Sequence, residues 1–310
     1  MNFPLPPQRA SDQRNARRSA LWLVASTLAL GGFVLAPVAH AADPLPATPM
    51  QKTGTAFKAD ADMQAVLGVS SVDREVGGAV GNLPARIYTP AGAGPFPVVV
   101  YFHGGGWVIA DKQVYDGGAR ALAKVAQAVV VSVDYRRAPE AKFPAAWDDA
   151  LAAYKWVAVN AASLKGDSRR MALAGESAGA NLALATAIAA RDAKLQSPTH
   201  VLAVYPVGQT GNLDTASYKD SATAKPLNKA MVTWFVDKLL AKPDDKKDPR
   251  LDLVNARLAG LPPVTIINAQ IDPLREDGAL LEAALVDAPP RTQTSTHWRK
   301  RHETDHIAGH

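Results

Sequence analysis

A serine lies at the centre of Gly175-Glu176-Ser177-Ala178-Gly179, between the apolar run Met171 to Ala174 and the Ala/Leu-rich run Ala178 to Ala190. That order spells strand, sharp turn, helix. A serine in such a turn is a nucleophile elbow, with flanking glycines that let strand and helix approach closely. A helix that opens at the serine also points its N-terminal amides at the reacting atom. His103-Gly104-Gly105-Gly106-Trp107 follows a second apolar run, Pro97 to Phe102. Successive glycines can turn their N–H groups into one concavity with no Cβ in the way, which is how an oxyanion hole is built. The expected donors are the amides of Gly105 and Gly106, completed by Ala178.

An activated serine needs a base and an acid that orients it. Asp272, in Ile271-Asp272-Pro273-Leu274, comes just past the apolar run Val264 to Ala269 and after the serine in chain order, where a triad carboxylate belongs. Glu276 and Asp277 are read instead as charges on the first turn of the following helix. The base must come from seven histidines. His40 falls in an N-terminal leader, His103 is committed to the glycine turn, and His200 precedes its strand, at the wrong end of the sheet. His297, His302, His306 and His310 remain open.

The elements that position these residues alternate. Apolar runs Pro97 to Phe102, Ala128 to Val133, Met171 to Ala174, Val201 to Tyr205 and Val264 to Ala269 read as strands buried on both faces. Gly117 to Gln127, Trp147 to Asn160 and Ala178 to Arg191 read as helices between them, so a mostly parallel sheet with helices on both faces is expected. The long insertion after Tyr205 exceeds one crossover and predicts a helical cap over the strand C-terminal ends. The expected organisation is residues 1–41 as a signal peptide, 42–287 as one α/β domain with its cap from about 50–80 and 207–258, and 288–310 as an atypical C-terminal tail.

The leader is read from a basic segment ending Arg17-Arg18, an uncharged stretch from Ser19 to Ala39, and the small-x-small site Ala39-His40-Ala41. An exported protein, periplasmic or secreted, is expected, without stable membrane association once the leader is removed; an uncleaved N-terminal anchor is the alternative. Net charge is +5, and four arginines against one aspartate before Ala42 account for much of it, which argues against a nucleic-acid partner. With no cysteine, the chain has no disulfides, thiolate metal sites or cysteine nucleophile.

Taken together, these motifs resemble the hormone-sensitive-lipase-like branch of the α/β-hydrolases, which includes many bacterial carboxylesterases. The resemblance runs over roughly residues 84–285 and also rests on Asp134-Tyr135-Arg136-Arg137-Ala138-Pro139-Glu140, close to that family's D-Y-R-L-A-P-E. It implies an α/β-hydrolase fold with a helical cap, and serine-dependent hydrolysis of small-molecule short-chain esters with no metal or organic cofactor. It also implies Asp272 as the acid, through the family's D-P-L, and His302 as the base, since the family histidine comes about thirty residues after the acid and His302-Glu303 echoes its His-Glu pair.

The tail departs from the family. Residues 288–310 are basic and almost without aliphatic side chains, so a last strand and helix are expected to be atypical or missing, through a lost reading frame near 285–289 or a divergent end. His302-Glu303-Thr304-Asp305-His306 spells H-E-x-x-H, but Thr304, Asp305 and Gly309 favour no helix to present it, so no zinc site is expected. Two other readings use the same residues: a non-catalytic ligand binder on this fold, and a deacetylase or amidase.

Overall fold

The computed structural model describes residues 68–288 and the strand at 294–299. The predicted leader, the arm before Gly68, and His302, His306 and His310 with the H-E-x-x-H run lie outside the described residues. The chain builds β1 (Val69–Gly77), β2 (Asn82–Pro90), β3 (Phe96–Phe102), α1 (Asp116–Ala126), β4 (Val129–Val133), α2 (Ala145–Asn160), β5 (Gly166–Glu176), α3 (Ala178–Asp192) and β6 (Val201–Val204). After the insertion, which carries α4 (Ala216–Asp220) and α5 (Lys229–Leu239), come β7 (Val264–Ala269), α6 (Arg275–Asp287) and β8 (Thr294–Arg299).

One eight-stranded sheet results, ordered β1-β2-β4-β3-β5-β6-β7-β8. Pairing is antiparallel from β1 to β2 and from β2 to β4, and parallel from β4 through to β8. The continuous apolar runs follow from burial on both faces. In β3, Val98, Val100 and Phe102 enter the larger core with α2 and α3, while Val99 and Tyr101 enter a second core with α1, as period-two alternation requires.

Two expectations need correction. Part of the 50–80 stretch assigned to the cap is β1, an edge strand whose interior residues are mostly exposed. It is held by backbone pairing to β2 and by the buried Arg120 of α1, which donates to Val69 O (3.0 Å) and Ser71 Oγ (3.1 Å) rather than by an apolar face. The tail also supplies a last strand. Residues Thr294 to Arg299 pair in parallel with Val264 to Ala269, because ladder hydrogen bonds need backbone groups and no aliphatic run. From the second part of the predicted cap, 207–258, α5 contributes Met231, Val232, Phe235 and Val236 to the cleft that Ser177 lines. Among the described residues, no helix is long and apolar enough to cross a membrane.

Candidate active site

Strand β5 passes into helix α3 through Ser177, whose backbone stands at φ 54°, ψ −119°. A non-glycine residue there carries about 1–3 kcal/mol of strain and persists only where its surroundings hold it. Here they do. The Ser177 amide donates to Val204 O (2.8 Å), and its carbonyl accepts from Ala180 (3.1 Å), Asn181 (3.2 Å) and Val207 (3.3 Å). Both motif glycines are forced by close approach: a Cβ on Gly175 would meet Gly179 O at 2.2 Å, and one on Gly179 would meet Phe102 O at 2.0 Å.

The glycine turn faces this elbow. Gly105 (φ 109°) and Gly106 (φ 60°) adopt backbone conformations that side chains disfavour. Both line the same cleft as Ser177. Among the described residues, the amides of Gly105, Gly106 and Ala178 have no hydrogen-bond acceptor, so they remain available to a ligand oxygen. His103 does not face the chemistry. Its buried ring stacks on Tyr135 (4.3 Å between centroids), with Nδ1 2.7 Å from Gly104 O and Nε2 3.6 Å from Asp134.

The Asp134 to Glu140 segment serves as the brace for that turn. Tyr135 Oη donates to His103 O (2.9 Å), Ala138 N to Trp107 O (2.9 Å), and Arg137 pairs with Asp134 (2.9 Å). Arg136 forks onto the buried Asp149 of α2 at 2.7 and 2.8 Å, which anchors the segment to the body of the domain.

Above Ser177 lies a narrow cleft of about 80 Å³, walled by Trp107, Tyr205, Val207, Met231, Phe235 and their neighbours, with no charged side chain among them. Helix α5 forms its ceiling. Asn228 caps the helix by accepting from Met231 N (2.9 Å), and Phe143 N donates to Leu239 O (2.9 Å) at the other end, so both ends are tied down. Trp107, the last residue of the glycine motif, is a buried wall of the cleft.

Asp272 follows β7 as expected. Its Oδ1 accepts from Leu274 N (2.8 Å), while burial pushes its carboxyl up to about 6. Its charge also reaches Tyr205, a wall of the cleft. Glu276 and Asp277 fall in the first turn of α6 as expected; Asp277 is fully buried there, accepts from Gly208 N (3.2 Å), and is pushed by burial to about 8. Glu276 accepts from Ser217 N (3.1 Å). Glu176, which the motif leaves without a partner, is buried and accepts from both Tyr101 Oη and Tyr205 Oη. Sequence reasoning missed that contact because it exists only once β3, β5 and β6 lie side by side. His302 lies outside the described residues; His297 lies within β8, opposite Ile267.

A strained serine between a parallel strand and a helix, facing a glycine turn, defines an α/β-hydrolase, and the chain belongs to the hormone-sensitive-lipase-like family of that fold. A family described as alpha/beta hydrolase fold matches residues 99–305. Carboxylesterase NlhH of Mycobacterium tuberculosis is 42% identical over 212 residues, 67% of this chain and 66% of that protein. Carboxylic ester hydrolase LipN of the same organism is 38% identical over 70% of this chain and 59% of its own length. The chain thus spans 59–66% of the length of these mycobacterial relatives. Among solved structures, the Pyrobaculum calidifontis esterase aligns with TM-score 0.71 and 37% identity, covering 78% of this chain and 80% of that one. The metagenomic carboxylesterase EstE1 aligns with TM-score 0.71 and 30% identity, over 94% of this chain and 88% of its own.

Proposed function

We propose that the protein is a serine carboxylesterase that hydrolyses short-chain acyl esters through an acyl-enzyme intermediate. The observation that carries this reading is the shared cleft: Ser177 and two glycines with unused amides face one small, uncharged space. Such a space suits a neutral acyl group. Ser177 Oγ attacks the ester carbonyl while His302 takes its proton, and Asp272 orients the imidazole and stabilises its charged form. The amides of Gly105, Gly106 and Ala178 hold the tetrahedral oxyanion, donors worth about 3 kcal/mol each in barrier lowering. Collapse breaks the ester C–O bond, and His302 returns the proton to the departing alkoxide. Water, activated by His302, then attacks the acyl-enzyme and frees Ser177.

The choice of His302 is supported by topology. His103, Ser177 and Asp272 come just past the C-terminal ends of β3, β5 and β7, and β8 runs parallel to them and ends at Arg299. His302 follows that end, whereas His297 is inside the strand. Export is part of the same proposal and rests on the Ser19 to Ala41 leader; N-terminal sequencing of the cell-free product beginning at Ala42 would support it, and an intact leader would not.

The test is release of p-nitrophenol from its acetate and butyrate esters by the native chain, Ser177→Ala, His302→Ala and His297→Ala. Turnover should fall by about a thousandfold or more in the first two variants and persist in His297→Ala. Ligand binding without Ser177-dependent turnover would replace this reading with the non-catalytic one.

A further inference from the structure

The residue before the serine is an unusual place for a buried charge. Glu176 is 1% exposed, and among the described residues no lysine or arginine pairs with it; its two carboxylate oxygens are divided between two phenols, Tyr101 on Oε1 and Tyr205 on Oε2. Those phenols come from opposite sides of β5. Tyr101 belongs to β3, whose end carries the glycine turn, and Tyr205 immediately follows β6. A third phenol closes the group: Tyr115 lines the cleft, and a Cβ on Gly104 would come within 2.5 Å of its Oη.

Tyr205 is itself constrained. Its backbone stands at φ 36°, its amide donates to Ile267 O (2.6 Å) in β7, and its ring walls the cleft beside Ser177. Its neighbour Val204 accepts the Ser177 amide. The elbow and the cleft wall are therefore joined twice, once through backbone and once through the Glu176 carboxylate. A buried carboxylate that accepts two hydrogen bonds fixes both donors more firmly than a neutral group does.

We propose that Glu176 is a positioning residue for the reaction: by gripping Tyr205 and Tyr101 it fixes the Ser177 turn against the cleft wall and the strand that carries the oxyanion glycines. It touches neither substrate nor reacting atoms, and it acts through the placement of Ser177 and Tyr205. The proposal rests on the esterase reading above, and its signature is a loss in kcat rather than in KM.

The experiment is steady-state hydrolysis of p-nitrophenyl acetate by the native chain, Glu176→Gln, Tyr205→Phe, the double variant and Ser177→Ala, with urea unfolding of each. Glu176→Gln keeps the shape but offers an amide nitrogen to one of the two phenols. It is expected to lower kcat roughly tenfold to a hundredfold, the scale of a small misplacement of reacting groups, with KM within about twofold of native. Because both residues act through one contact, the double variant should be no slower than the slower single variant. A merely structural role would instead lower activity only as the folded fraction falls. Native kcat in Glu176→Gln, or losses that multiply in the double variant, would overturn the proposal while leaving the esterase reading intact. Equal turnover by the native chain and Ser177→Ala would remove that reading, and the proposal with it.

Discussion

Phe235 is seated directly on Gly106: a methyl group added to the glycine would meet the ring at 2.3 Å. One aromatic side chain of the capping helix thus closes the space above a proposed oxyanion donor. Since α5 is tied at both ends, the height of the cleft depends on the side chains that α5 presents more than on movement of the helix.

Replacing Phe235 with alanine should therefore lengthen the acceptable acyl chain. The ratio of kcat/KM for p-nitrophenyl octanoate over acetate is expected to rise about tenfold or more, each added methylene being worth on the order of 1 kcal/mol in an apolar pocket. Loss of the ring should cost about 3 kcal/mol of stability in urea unfolding. An unchanged chain-length profile would show that another wall sets the limit.

Ser177→Gly should separate stability from activity. Glycine takes the positive φ of Ser177 without steric cost, so the variant should unfold at higher urea, by about 1 kcal/mol. Turnover should vanish with the hydroxyl. A variant less stable than native would mean that the elbow is not strained.

Asp277 predicts a pH-dependent stability. Burial lifts its folded-state carboxyl to about 8, so the unfolded chain gives up the proton first. Its contribution is fully present below the ordinary carboxylate range and is lost as pH rises through that range towards about 8. Glu176 and Asp272, each raised to about 6, act with the same sign over a narrower window. Asp277→Asn, which stays neutral and still offers an oxygen to Gly208 N, should gain stability over native at pH 8 and not at pH 4. Parallel stability curves for the two chains would contradict this.

The brace under the glycine turn should be costly to cut. Asp149 is fully buried and accepts from Ala79 N (3.2 Å) and Arg136 N (3.1 Å) as well as from the guanidinium. Asp149→Ala should lose about 3 kcal/mol, the lower part of the range for a broken buried pair because the Arg136 side chain is 33% exposed. A shift in the urea midpoint of less than about 1 kcal/mol would assign the anchoring elsewhere.

The geometry was legible where it is local. Gly175, Gly105 and Gly106 are demanded by a contact or a positive φ within a few residues of the functional turns, and Gly179 by the neighbouring strand β3, so their spacing in the chain already carries most of the geometry. Asp272 could be read because it follows an apolar strand directly. What is decided by contact between distant segments was not legible: Glu176 depends on tyrosines from β3 and from the end of β6, and Asp277 on the loop at Gly208. Strands β1 and β8 escaped for a different reason. Their polar sequences are paired by backbone groups, which leave no mark in side-chain patterning. His302 remains an inference from spacing and topology.

Among the described residues, those proposed to take part directly in the chemistry, Ser177, Asp272, Gly105, Gly106 and Ala178, all come after the carboxyl ends of strands of the parallel sheet. The opposite edge, where β3 begins with Phe96 donating to Lys165 O (2.8 Å) and β5 opens at Gly166, carries none of them. A tether or fused partner attached there would hold the molecule with its mouth facing outward, and would load the sheet along its stiffest direction rather than through the cap.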